Sequence, residues 1–345
     1  MKEFAPITEI DGRSKLKALP HARPRPTVVT MTAAELAAQD FPPVAFVIPR
    51  YVAEGLTVVA GRPKTGKSWL ALGWAVAVAL GGVALGSIEV EAGDVLYLAL
   101  EDNYRRLKRR LEQMMPDIEK PARLVLATQW PRLGAGGIEA ITEWCKRVER
   151  PRLIVVDVFG KIRPQRRDKE NLYEQDYQAI EPLKALADQL KLAVLVIHHT
   201  NKRDEPYDPF DAVSGTTGLT GAADTVLVLS RNPQGTTLYG RGRDIEEIET
   251  ALAFDRVAGL WSALGNASEV HRSDERTKLL AALNASVAPL GPRDLASVAC
   301  LKDANVRQLL GKMVAAGEIE RTGYGRYRAA TAGHTGHTGS HISKD

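Results

Sequence analysis

Residues Gly61-Arg62-Pro63-Lys64-Thr65-Gly66-Lys67-Ser68 fit the pattern G-x-x-x-x-G-K-[ST], whose residue types and spacing suit phosphate chemistry. The glycines let the loop wrap backbone N–H groups around a β-phosphate. Lys67 can reach the β- and γ-oxygens, and Ser68 can offer its hydroxyl to Mg²⁺ at a helix N-terminus. Nucleotide contacts are therefore expected from Gly61, Lys64, Thr65, Gly66, Lys67, Ser68 and the adjacent Trp69, with ATP and Mg²⁺ as the ligands. Two acids lie where such chemistry needs them. Asp157 closes the apolar run Leu153–Val156, so its carboxylate emerges at a strand end and can join Ser68 in holding the metal shell. Glu101 follows the run Val95–Leu100 and can polarise the water that attacks a γ-phosphate. Its neighbour Asp102 suits the N-cap of a helix beginning near Asn103.

These residues must be carried by strands. From Gly55 to about Leu264, apolar runs alternate with helical stretches: Leu56–Ala60, Val95–Leu100, Leu153–Asp157, Ala193–Ile197 and Thr225–Leu229. Unbroken apolar strands are buried on both faces, which predicts an α/β fold with helices on both faces of a mostly parallel sheet over residues 44–264. Residues 1–43 are rich in proline and charge and read as an arm around one short helix, Thr32–Gln39. After Gly265–Ser268 the pattern changes to helices over 274–285, 292–299 and 304–316, followed by the glycine-punctuated stretch Glu318–Arg328. That order predicts a small winged helix-turn-helix over 270–329. The tail 330–345, with its His-Thr-Gly repeat, is expected to be disordered.

Composition bounds the rest. The 345 residues are 44% hydrophobic and 26% charged, enough for a sizeable core. Lys and Arg total 46 against 42 Asp and Glu, and that near-balance announces no partner. The distribution is more telling: residues 1–30 carry six basic and three acidic side chains and residues 270–329 carry ten and six, around a mildly acidic middle. Cys145 and Cys300 lie far apart and match no metal-ligand spacing, so neither a disulfide framework nor structural zinc is expected. The longest apolar run, Trp69–Leu80, is too short to span a bilayer. A cytoplasmic protein without a membrane partner is the expectation.

The order of motifs carries a family resemblance. The P-loop, the strand ending in Glu101-Asp102, Asp157, Val196–Lys202, Ser214–Asp224 and Gly240–Asp244 together resemble the RepA-like plasmid replication helicases, in the RecA/DnaB branch of P-loop ATPases. The resemblance covers about residues 44–262. It implies a RecA-like core, a ring of subunits, commonly six, with ATP between neighbours, and single-stranded DNA in a central channel. It also implies that Glu101 is the catalytic glutamate, His199 a polar sensor of the γ-phosphate, and Arg243 with Arg241 a pair of basic fingers reaching the next subunit's nucleotide. Alternation along a strand would put both arginines on one face. Arg231 is the alternative finger, and His198 is balanced between a sensor role and a strand-end pair with His199.

Two stretches are candidates for DNA contact: Lys161, Arg163, Arg166, Arg167 and Lys169 after Asp157, and Lys202–Gly218 after the histidines. The run Arg105, Arg106, Lys108, Arg109 and Arg110 suits a solvated helix face equally well. In the C-terminal module, Asn305, Arg307, Gln308 and Lys312 lie on the expected recognition helix and Tyr324, Arg326 and Tyr327 on the wing, for duplex DNA or a replication protein. The function expected is an ATP-driven DNA motor, a replicative helicase of a plasmid or mobile element. The alternative is an ATP-switched DNA-binding regulator or helicase loader, as in the similar KaiC-like proteins.

Overall fold

A computed structural model describes residues 30–164, 172–200, 208–213, 217–232, 235–323 and 325–330. The first elements are α1 (Ala33–Ala37), β1 (Phe46–Ile48), β2 (Val52–Ala53), β3 (Gly55–Gly61), α2 (Lys67–Leu80), β4 (Val83–Ala84), β5 (Ile88–Glu89) and β6 (Asp94–Ala99). They are followed by α3 (Tyr104–Met114), β7 (Leu124–Ala127), α4 (Gly137–Arg147), β8 (Pro151–Asp157), α5 (Phe159–Ile162), α6 (Leu172–Leu190) and β9 (Ala193–His199). The chain continues through α7 (Thr217–Ala222), β10 (Thr225–Asn232), β11 (Gly235–Gly242), β12 (Ile248–Asp255) and β13 (Leu260–Asn266). Last come α8 (Ala267–Ala285), α9 (Pro292–Ala299), α10 (Asp303–Ala315), β14 (Ile319–Gly323) and β15 (Arg326–Ala329).

By its contacts the chain divides between Pro43 and Val44. In the first part, α1 begins with a capping box: the Thr32 side chain accepts from the Glu35 N–H, and the Glu35 carboxylate accepts from the Thr32 N–H at 2.7 Å. The helix buries no residue. Such a short element gains its order from the cap rather than from packing.

In the second part, nine strands form one sheet in the order β13-β12-β11-β10-β3-β9-β8-β6-β7. From β10 to β7 all neighbours are parallel, while β10 to β13 pair antiparallel. The parallel half matches the expectation from the apolar runs, and the antiparallel extension adds to it. Alternation along the buried strands divides the apolar side chains between two cores. Val95, Tyr97, Leu153, Val155, Leu195 and Ile197 join α2 and α3 on one face. Leu96, Leu98, Ile154, Val156, Val194 and Val196 join α4, α6 and α7 on the other. The sheet is thus covered on both sides, which holds the C-terminal strand ends in fixed positions.

The stretch 265–268, expected to separate two domains, contains no linking loop. β13 runs to Asn266, whose side chain caps α8 by accepting from the Ser268 N–H at 2.9 Å. Gly265 therefore lies within β13, and Ser268 sits in the first turn of α8 as the donor to the capping Asn266. Beyond it, α8, α9, α10 and the β14–β15 hairpin enclose a separate small core including Leu279, Leu283, Leu295, Val306, Leu310 and Met313.

Candidate nucleotide site

Strand β3 sits between β9 and β10, and its C-terminal end opens into the Gly61–Ser68 loop before α2. Two backbone features allow that turn. Gly66 has φ +98°, and a Cβ there would lie 2.6 Å from a ring carbon of Trp261. Lys64 adopts φ +65°, a left-handed conformation uncommon outside glycine. Trp261 also donates its indole N–H to the Gly66 carbonyl at 3.2 Å, so β13 holds the loop from outside.

Lys67 is 4% exposed, and its ammonium donates to the Gly61 and Arg62 carbonyls at 2.7 and 2.9 Å. Burial lowers its pKa to about 8, against the opposing pull of Asp157 and Glu101. An ammonium so poorly solvated gains from a phosphate brought beside it. Asp157 is also buried, and burial raises its carboxyl above the usual range despite hydrogen bonds from Ser68 and Tyr97 and the nearby charge of Arg110. Ser68 and Asp157 thus meet through their side chains. A hydroxyl beside a carboxylate at a strand end is an all-oxygen donor set of the kind Mg²⁺ takes when phosphate and water complete its shell.

Glu101 and His199 come from the C-terminal ends of β6 and β9, on either side of β8, and face each other, Oε2 to Nε2, at 3.8 Å. Both are roughly half exposed, open to a ligand. Registry across β8 brings them to one level: Leu98 pairs with Val156, and Val156 pairs with Val196, so Glu101 and His199 each lie three residues beyond a common row. His198, one residue earlier on β9, turns to the other face, where burial depresses its pKa to about 4 while Asp176 opposes the shift. It lies on the side of the sheet away from Glu101.

A cleft of about 340 Å³ lies beside the loop, lined by Lys64, Thr65, Trp69, Arg231, Phe254 and Trp261 among others. The rings of Trp69, Phe254 and Trp261 stand in sequence, with centroids 5.8 and 4.9 Å apart. Trp69 therefore stands beside the loop. Arg231 lines the same cleft as Lys64 and Thr65.

A profile of the AAA domain family, AAA_25, matches residues 22–205, more than half of the chain. The chain belongs to the AAA domain family. Among solved structures, one ATPase domain is 14% identical, with TM-score 0.48, over 61% of this chain and 85% of that one. A DnaB-like replicative helicase, solved in a study that includes its interactions with primase, is also 14% identical, with TM-score 0.50, over 66% of each chain. The second likeness supports the fold: a mixed sheet with helices on both faces.

Within this AAA domain chain the two proposed fingers differ. Arg241 lies on β11 and is engaged within the chain, 2.6 Å from Asp208, 2.8 Å from Glu247 and over the Phe210 ring at 4.3 Å. β11 ends at Gly242, so Arg243 stands just outside the strand and the alternation expected to align the pair does not extend to it. Its backbone N–H donates to the Asp224 carbonyl at 2.9 Å, while its side chain is 66% exposed and reaches Asp224 only at 4.0 Å.

Several charged residues lie elsewhere than expected. Asn103, not Asp102, caps α3, its side chain accepting from the Arg106 N–H at 3.0 Å; Asp102 instead binds Arg106 and Arg110. Arg110 also lies over the Trp69 ring at 5.0 Å, so the basic run on α3 is not simply a solvated face. Arg163 turns inward to Asp176 at 2.6 Å, with exposures of 15% and 1%, and is not a free DNA contact. Lys161 is exposed. Arg166, Arg167, Lys169, residues 201–207, residues 214–216, Tyr324 and the tail from 331 lie outside the described residues. On α10, Asn305, Gln308 and Lys312 line one cleft with Arg272, while Arg307 pairs with Asp303 at 3.1 Å. Tyr327 packs against the small C-terminal core rather than decorating the hairpin, and Arg326 pairs with Asp294 at 3.1 Å.

Three residues escape the motif reading: Tyr97, Arg110 and Trp261. Tyr97 looks like core in a buried strand, and Trp261 is almost two hundred positions from the loop it covers. Only the tyrosine hydroxyl in an otherwise apolar run offers a local signal.

Proposed function

We propose that this chain is a Mg²⁺-dependent ATPase that works as a ring, six subunits by the family resemblance, and couples hydrolysis to movement along single-stranded DNA, as a replicative helicase of a plasmid or mobile element does. The observation that carries the reading is the split between a nearly complete phosphate site and a displaced arginine. Lys67, Ser68, Asp157, Glu101 and His199 gather at adjacent parallel strand ends, while Arg243 stands exposed beyond β11. Lys67 and the loop N–H groups bind the phosphates, and Ser68 with Asp157 would hold the ion. Bound Mg²⁺ supplies charge neutralisation on the β- and γ-oxygens. Glu101 accepts a proton from the attacking water, and His199 donates to a γ-phosphate oxygen. Arg243 of a neighbouring subunit stabilises the charge that develops on the transferred group, with Arg241 holding the turn that carries it.

The helices α8–α10 and hairpin β14–β15 support a winged-helix reading, with Asn305, Gln308 and Lys312 as the face for duplex DNA or a replication protein. One observation favours the second reading, an ATP-switched regulator or loader: Arg163 is taken by Asp176, leaving Lys161 as the described basic side chain of the first proposed channel loop. Strand displacement on forked DNA with ATP and Mg²⁺ separates the two. The motor displaces the strand, whereas the switch hydrolyses ATP and leaves the fork paired.

A further inference from the structure

Tyr97 stands on β6 among apolar side chains and is 1% exposed. Phenylalanine would fill that place equally well, so the hydroxyl calls for an account of its own. Its O–H donates to Asp157 Oδ2 at 2.9 Å and lies 3.4 Å from the Ser68 carbonyl oxygen. Tyr97 therefore joins β6, β8 and the first turn of α2 at the two residues that would hold the ion. Arg110, stacked on Trp69 at 5.0 Å, adds positive charge near the same carboxylate.

We infer that Tyr97 is a positioning residue for the metal-holding carboxylate. The inference rests on the Mg²⁺–ATP reading of the site and adds a residue to it. A carboxylate on a single rotatable stem can turn, and an ion that must first order its ligand binds more weakly than one meeting a fixed ligand. Tyr97 occupies one of the acceptor positions of Asp157 and fixes its plane from the buried side. The carboxylate then meets the ion already oriented, and the ring supplies the rigidity because it is locked in the core.

The test is Tyr97→Phe in the full chain, which removes one oxygen and keeps the ring. ATP binding is measured by calorimetry, first with a chelator and then across a Mg²⁺ titration, alongside thermal melting. The expected result is unchanged ATP affinity without the ion and a half-saturating Mg²⁺ concentration raised about tenfold, the equivalent of losing one hydrogen bond to a charged group. In an Asp157→Asn background the same change should move the Mg²⁺ midpoint no further. An unchanged Mg²⁺ midpoint, or an equal loss of ATP affinity with and without the ion, would show that Tyr97 only fills the core and would overturn the inference. If the wild-type chain binds ATP under neither condition, the nucleotide reading itself has failed, and this inference with it.

Discussion

Three polar residues beside the parallel strand ends and two arginines of the antiparallel extension are held in opposite ways. In the parallel half, Lys67, Asp157 and Tyr97 are 4%, 7% and 1% exposed and are linked to one another or to the loop by short hydrogen bonds. In the antiparallel extension, Arg241 and Arg243 keep 51% and 66% of their side chains exposed. Burial in the first half fixes groups that, on the proposed reading, meet a phosphate with little rearrangement, at the cost of desolvating charge. The second half leaves charge at the surface, where it contributes little until another molecule covers it. On the proposed reading, one subunit carries a site that is set internally and an exposed arginine free to serve a neighbour's site.

The largest effect should come from breaking the buried half. Lys67→Ala removes the ammonium that meets the phosphates, and both ATP binding and hydrolysis should fall below detection in a filter-binding and phosphate-release assay. Glu101→Gln separates the two, binding ATP normally while turning over at least about a hundredfold more slowly. Wild-type turnover in that variant would mean the base lies elsewhere. Arg243→Ala should likewise retain ATP affinity and lose about a thousandfold in rate. Mixing it with Lys67→Ala subunits should restore part of the rate, because some interfaces then hold an intact Lys67 opposite an intact Arg243. Full turnover by assembled Arg243→Ala alone would remove it as the finger.

The buried half also makes a prediction in pH. Lys67 in the free protein titrates near 8, and a phosphate beside it raises that value by favouring the charged form. Between the two values the complex holds a proton that the free protein lacks, so ATP affinity should fall as pH rises above about 8, by up to about tenfold per unit. Below 8 this contribution is fully present. Calorimetry in buffers of different ionisation enthalpy should show proton uptake on binding at pH 9, and flat affinity from pH 7 to 9.5 would show that the ammonium is not desolvated.

The sequence is more legible in the parallel half, for a physical reason. The P-loop is a local motif, and Glu101, Asp157 and His199 each end an apolar run, so strand ends could be placed without knowing which strands touch. What escaped was settled across the sheet. Trp261 covers Gly66 from a strand late in the chain, and Arg163 is consumed by Asp176 across an intervening segment, so neither contact leaves a periodic trace. The cap of α3 fell to Asn103 rather than Asp102 because Arg106 and Arg110 compete for the charged side chain. At 265–268, residues that commonly break a chain instead end β13 and cap α8.

The smallest expected effect tests whether the exposed half divides its labour. Arg241 is held by Asp208 and Glu247 and lies on Phe210, so within one subunit it ties the end of β11 to the segment around Asp208. Exposed ion pairs of this kind contribute about 0.2–1 kcal/mol, so Arg241→Gln and Asp208→Asn should each lower stability by less than about 1 kcal/mol. If Arg241 stays tied after assembly, the two variants should slow hydrolysis by similar small factors, and the double variant should be no slower than either, the mark of one shared contact. If Arg241 instead leaves Asp208 to reach the neighbouring nucleotide, Arg241→Gln should approach the loss seen with Arg243→Ala, while Asp208→Asn frees the arginine and leaves the rate intact. We expect the first pattern, because releasing Arg241 would forfeit two carboxylates and a ring, whereas Arg243 gives up one contact at 4.0 Å. The second pattern would make both arginines fingers and return the exposed half to a single role.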